Sequence, residues 1–95
     1  MNEFLTDERK KKYTDILADN LPVLRAKLGI SQKQLAERIG MSRNMIARIE
    51  IKEKKMSWTT FMALSFLFLQ NKKTAPIFKT LNIYDDELND YLMFK

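Results

Sequence analysis

The sequence predicts an all-α protein, and three observations lead there. Only two glycines and two prolines occur in 95 residues, too few for the tight turns of a sheet protein. Apolar residues recur at spacings of three and four, the period of a helix face. Ser, Thr, Asn or Asp stands ahead of each apolar run, where a helix start needs a side chain to cap its free amides. A chain of this length is one domain, residues 1–95, which buries roughly 60 to 65% of its unfolded surface and so supports a modest core.

The elements follow in order. Thr6 with Asp7 and Glu8 opens a first helix, predicted over 6–19, with a capping hydroxyl and two carboxylates where the macrodipole favours them. Tyr13, Ile16 and Leu17 form its apolar face, continued by Leu21, Leu24 and Leu28. Pro22 predicts a break: it disfavours helical geometry at Leu21, and Asn20 is placed to cap a new helix in which proline's missing amide is harmless.

Ser31 and Gln34 have the capping-box spacing and open a short helix with Leu35, Ala36 and Ile39 on one face. Gly40 ends it, since glycine takes positive φ without steric penalty, and Ser42 caps the next helix, where Ile46 and Ile49 share a face. Ala36 sits where these two helices would cross most closely, a position that tolerates only a small side chain. A basic loop with Lys52, Lys54 and Lys55 follows, and Ser57 caps a helix predicted over 58–71. That helix is apolar almost all round, so it needs cover on several sides. Thr74 with Pro76 opens a short helix over 74–81 and Asp85 a last one over 85–94, which gives six or seven helices in all.

The stretch 32–51, two short helices around Gly40 and Ser42, resembles the helix-turn-helix of the phage-repressor-like (Cro-like, XRE) family of DNA-binding proteins. Leu28, Gly29, Ile30, Ser31 and Gln32, then Leu35 and Ala36, then Ile39, Gly40, Met41, Ser42 and Arg43, and finally Ile46, Ile49 and Glu50 fill the positions at which that family restricts residue type. The resemblance runs from about Leu21 to Leu69, within a core of about 20–72. It implies a small helical domain of the lambda-repressor-like type, with an added helix before the motif and added helices after it at 74–94.

If Ile46 and Ile49 face the core, Arg43, Asn44, Ala47, Arg48 and Ile51 lie on the opposite face, which a DNA reader inserts into the major groove. The resemblance implies that Arg43, Asn44 and Arg48 touch base edges. Arginine pairs with the O6 and N7 of guanine, asparagine with the N6 and N7 of adenine, and Ala47 can meet a thymine methyl. A phosphate contact stays open for Arg48. Gln32 lies at a helix start, where free amides and the positive dipole end attract a phosphate, and the resemblance points to the same role. Ser42, Lys52, Lys54 and Lys55 are the other phosphate candidates, with plain solvation as the alternative for the loop lysines. Arg25 and Glu50 occupy positions that form a buried ion pair in several relatives; here the sequence gives only the complementary charges, and the alternative is an Arg25 that binds phosphate. Where relatives place Asn-Gly after the glutamate, this chain has Ile51 and Lys52, so the recognition helix either runs longer or is ended by packing of Ile51. Arg9, Lys10, Lys11 and Lys12 span a full turn and cannot all face one phosphate strand; they read as a solvated face.

Composition narrows the function. The net charge of +5 fits a polyanionic partner. With no histidine and no cysteine, the usual bases, thiol nucleophiles and transition-metal sites are missing, so neither an enzyme nor a bound cofactor or metal is expected. Asp85, Asp86, Glu87 and Asp90 cluster, but carboxylates in a first helical turn account for the first three. The apolar run over 61–69 is too short for the roughly 20 residues a bilayer needs. No apolar stretch follows the basic amino terminus, so the expected location is the cytoplasm. The resulting expectation is a sequence-specific duplex-DNA-binding regulator, a repressor working as a homodimer. An antitoxin that binds DNA and a toxin partner, or a protein-interaction module without DNA binding, are the other readings. Phe66, Leu67 and Phe68 of the apolar helix need additional cover, and Phe4, Tyr13, Ile77, Phe78, Leu81, Tyr84, Leu88, Tyr91, Leu92 and Phe94 add further apolar surface, some of which is expected to form the dimer contact.

Overall fold

Helix α1 (Asp7–Leu28) decides the shape of the domain, because its 22 residues run unbroken past the proline expected to interrupt them. The computed structural model describes residues 5–95; Phe4 lies outside them. Five shorter helices follow: α2 (Gln32–Ile39), α3 (Arg43–Glu50), α4 (Trp58–Gln70), α5 (Ala75–Thr80) and α6 (Asp86–Leu92). The described residues form six helices and no strand, so the fold is all-α as expected.

The break at Pro22 is the main correction to the sequence reading. An interior proline deprives the helix of one hydrogen bond and costs about 3 kcal/mol. Against that, Tyr13, Leu17, Ala18, Leu21 and Leu24 are all buried on one continuous stripe, and each large apolar side chain contributes roughly 1.5 to 3 kcal/mol when fully covered. Packing wins. Asn20 does not cap a new helix; its side-chain amide donates to the Ile16 carbonyl at 2.8 Å, inside the same helix. Pro22 itself is exposed, so its ring meets water and not the core.

Helix α4 stands at the centre. Phe61, Leu64, Ser65 and Phe68 are buried, and Trp58 and Phe61, stacked on each other at 4.6 Å, meet Tyr13 of α1 at 6.5 and 6.4 Å between ring centres. The other side of α4 is covered by α5, where Phe78 is fully buried and the Thr74 hydroxyl donates to the Phe68 carbonyl at 2.7 Å. Ile83 and Leu88 complete this part of the core. One demand of the apolar circumference goes unmet: Phe66 is 66% exposed.

A polar cluster fastens α6 to α1. Asp85 accepts the Leu88 amide as the α6 cap and accepts the Tyr13 hydroxyl at 2.7 Å. Arg9 donates to Asp85 at 3.0 Å, pairs with Glu87 at 2.7 Å and donates to the Tyr13 oxygen at 3.2 Å. Burial, reinforced by the Asp85 hydrogen bond, pushes the Tyr13 hydroxyl up to about 12. Burial also pushes Asp85 upward, but the Leu88 amide, the Tyr13 hydroxyl and the Arg9 charge outweigh it and hold the carboxyl below its ordinary range. The basic run is therefore mostly occupied within the fold: besides Arg9, Lys10 lies 5.6 Å from the Trp58 ring centre and Lys11 pairs with Asp15.

The end of α3 corrects a second expectation. The helix does not run on, and Ile51 does not pack; it is 66% exposed. Lys52 supplies the terminator by taking the left-handed conformation, φ 64°, that glycine would adopt without strain. Its amide bonds to the Ile49 carbonyl at 3.1 Å and the Glu53 amide to the Arg48 carbonyl at 2.9 Å, the paired bonds of a Schellman cap. Its ammonium reaches back to Asp19 at 2.8 Å and to Asp15 at 4.0 Å. A side chain in this conformation costs roughly 1 kcal/mol, and an exposed ion pair returns less than that. Lys52→Gly is therefore expected to raise stability by about 0.5 kcal/mol and the β-branched Lys52→Val to lower it by more than 1. Urea unfolding midpoints check both signs; a Lys52→Gly protein less stable than the parent would mean that the Asp19 tether outweighs the backbone strain.

Candidate nucleic-acid interface

Two helices of eight residues each present the candidate surface. Ser31 caps α2 as a complete capping box: its hydroxyl accepts the Gln34 amide at 3.1 Å, and the Gln34 side chain accepts the Ser31 amide at 2.8 Å. Gly40 ends α2 at φ 74° and the Met41 amide returns to the Ala36 carbonyl at 2.9 Å, which reverses the chain in two residues. Ser42 then caps α3 by accepting the Met45 amide. Leu35, Ala36, Ile46 and Ile49 are buried between the helices and the rest of the core, so the small Ala36 side chain sits at the crossing as its size requires.

Burial of Ile46 and Ile49 turns the remaining face of α3 outward. Arg43, Asn44 and Arg48 are exposed, and Ala47 lies half-buried among them. Neither Arg43 nor Asn44 makes a side-chain hydrogen bond or ion pair among the described residues. Arg48 meets Glu53 only loosely, at 3.7 Å between exposed groups, a contact worth little against solvent.

The phosphate candidates divide. Ser42 uses an oxygen lone pair for its cap, which leaves its hydroxyl proton for another acceptor. Lys54 and Lys55 are exposed on the loop beside α3. Lys52 turns its ammonium toward α1, and the Asp19 hydrogen bond raises its pKa. Gln32 donates one amide proton to Glu50 at 3.0 Å, so only its second N–H is left over.

Glu50 is the hub of this network. The Arg25 guanidinium grips its carboxylate with two bonds, 2.7 and 2.9 Å, and donates a third to the Ile30 carbonyl at 3.3 Å. The side chains are 18% and 6% exposed. The Glu50 hydrogen bond raises the Arg25 pKa, against the smaller opposing effect of burial. The sequence separates these partners by 25 and 18 residues; the fold places α1, the start of α2 and the end of α3 on one carboxylate.

Two contacts escaped the sequence reading. The Arg9, Tyr13, Asp85 and Glu87 cluster joins residues more than 70 apart, and only the cap signal at Asp85 was visible. The Lys52 tether had a faint signal in Asp15 and Asp19, two carboxylates one helical turn apart.

Residues 24–63 match the family described as Helix-turn-helix. That segment is thus a helix-turn-helix of the phage-repressor-like (XRE) type. Comparison with curated proteins and with solved structures found no match in either set. Among the described residues, no helix is long and apolar enough to cross a membrane, and no cluster of carboxylates is arranged to hold a metal ion. In this helix-turn-helix, removing one member of the Arg25 and Glu50 pair is expected to cost about 3 kcal/mol, because it strands the other with little solvent. Arg25→Met or Glu50→Leu should therefore unfold at clearly lower urea than the parent, and the double variant should recover much of the loss. Single and double variants that match the parent would show that solvent already compensates both charges.

Proposed function

We propose that the protein is a sequence-specific duplex-DNA-binding regulator, a repressor that acts by occupying its operator as a homodimer in the cytoplasm. The observation that carries this reading is the outward face of α3: Arg43, Asn44 and Arg48 stand exposed on a helix anchored by two buried isoleucines, and the first two have no competing partner among the described residues. Side chains with bidentate capacity, aligned on a rigid helix, suit base edges in the major groove. Ala47 lies close enough to the same face to admit a thymine methyl. Ser42, Lys54 and Lys55, with the spare N–H of Gln32, take the phosphates on either side. Lys52 is the weakest member of that set, since Asp19 already holds it.

One α3 reads only a few base pairs, so a useful site requires two copies on half-sites about 34 Å apart. Phe66, left 66% exposed on α4, and Met93 and Phe94 at the other end of the described chain are apolar groups that a two-fold contact would cover. Repression follows from occupancy: a protein seated in the groove excludes others from the same base pairs.

Selection of bound sequences from a random duplex pool tests the reading. Arg43→Ala and Asn44→Ala are expected to cost about 1 to 3 kcal/mol on the selected site and little on random DNA, while Lys54→Ala weakens both alike and reduces the salt slope by about 1. A pool from which no sequence is enriched, or an affinity that stays flat from low to physiological salt, would refute it. For assembly, sedimentation equilibrium at micromolar concentration should give twice the chain mass for the parent and one chain mass for Phe66→Glu. A monomeric parent would remove the dimer from the reading and leave pairing to the DNA.

A further inference from the structure

We propose that Ile51 is a specificity residue that reads the methyl group of a thymine, extending the reading face to the residue that caps α3. The inference rests on the DNA-binding reading above. Ile51 is among the largest exposed apolar side chains of the described protein, at 66%, and nothing in the fold uses it.

Its direction is fixed by the backbone. Ile51 follows the last residue of α3 but keeps near-helical angles, φ −93° and ψ 8°, and its amide still bonds to the Ala47 carbonyl at 3.3 Å. The side chain therefore continues the register of the helix. At 100° per residue, seven residues bring it within about 20° of Asn44, and about 10.5 Å farther along the axis. It also stands three residues after Arg48 and four after Ala47, so it lies over the middle of the reading stripe and not at its margin.

Its position is held as firmly as its direction. The Schellman bonds from Lys52 and Glu53 close the helix immediately after Ile51, and the Lys52 ammonium is tied to Asp19 of α1. An exposed isoleucine on a frayed end would sample many positions; this one is presented by a closed cap.

Chemistry then narrows the target. Isoleucine has no donor or acceptor, so it can bind neither a phosphate nor a hydrogen-bonding base edge. The apolar group that unmodified DNA displays in the major groove is the thymine C5-methyl.

The test uses the full chain and the duplex selected from the random pool. Each thymine of the selected site is replaced, one at a time, by deoxyuridine, which lacks only the methyl group. Affinities are measured for the parent and for Ile51→Ala, whose substitution at an exposed position leaves the core untouched. At one thymine the parent should lose about three- to fivefold on uracil, the factor expected for one buried methyl, and Ile51→Ala should be indifferent to the same change. Ile51→Ala should also bind the thymine site less tightly by a similar factor and random duplex as well as the parent does. The proposal is overturned if every uracil affects both proteins alike, or if Ile51→Ala loses affinity equally for selected and random DNA. A parent that selects no sequence would overturn the DNA-binding reading itself, whereas a parent that selects a site but shows no coupling between Ile51 and a thymine methyl removes this inference alone.

Discussion

A carboxylate at the end of α3 with 6% of its surface exposed cannot be left alone, and the way Glu50 is satisfied positions the three helices that matter most. Arg25 brings α1, Gln32 brings the start of α2, and the bond from Arg25 to the Ile30 carbonyl adds the loop between them. Apolar packing alone would let α3 slide or rotate by small amounts against its neighbours, since such contacts are not directional. A bidentate guanidinium and carboxylate pair tolerates far less. The network contributes geometry more than net stability, because taking both charges out of water offsets much of their attraction. Geometry is what a reading helix requires, as a displacement of an ångström would misalign every side chain on its outer face.

Helix α4 bears on the same arrangement from beneath. Being apolar nearly all round, it must divide its surface among several neighbours, and it takes α1 through the Tyr13, Trp58 and Phe61 stack, α2 on another side, and α5 through Phe68 and Thr74. The added terminal elements are consequences of that demand. Helix α5 covers what the motif helices cannot reach. Helix α6 is too short to hold itself, and the Arg9, Tyr13 and Asp85 cluster supplies the attachment that its seven residues lack. Phe66 is the part of the demand that one chain does not meet.

The motif was legible because its signals are local. Capping hydroxyls at Ser31, Ser42 and Ser57, the positive-φ glycine at 40 and the spacing of Ile46 and Ile49 each act within one or two turns, and each stands in the structure where the residues placed it. Pro22 was misread for the opposite reason. Its local preference is strong, but the stripe that overrides it runs from Tyr13 to Leu24 and is stabilised by helices distant in sequence. Lys52 misled in the same manner: residue type argues against a left-handed conformation, while the Schellman bonds and Asp19 together enforce it. The outward face of α3 followed from periodicity alone. The network behind it needed a resemblance to suggest Arg25 with Glu50, and nothing in the sequence indicated that Gln32 would join them.

The Lys52 tether also changes how charge reaches DNA. A basic loop after the reading helix would ordinarily act as one cationic patch, yet its first lysine is bound to Asp19 with Asp15 close by. Two carboxylates thus stand within reach of the Lys52 ammonium, and the charge of this lysine is answered inside the fold. The attraction left to this loop comes chiefly from the exposed Lys54, since Lys55 also lies near Asp15. A surface arranged this way adds little sequence-blind affinity at the far end of α3. On the proposed DNA-binding reading, what remains to act there is the shape and chemistry of the side chains themselves.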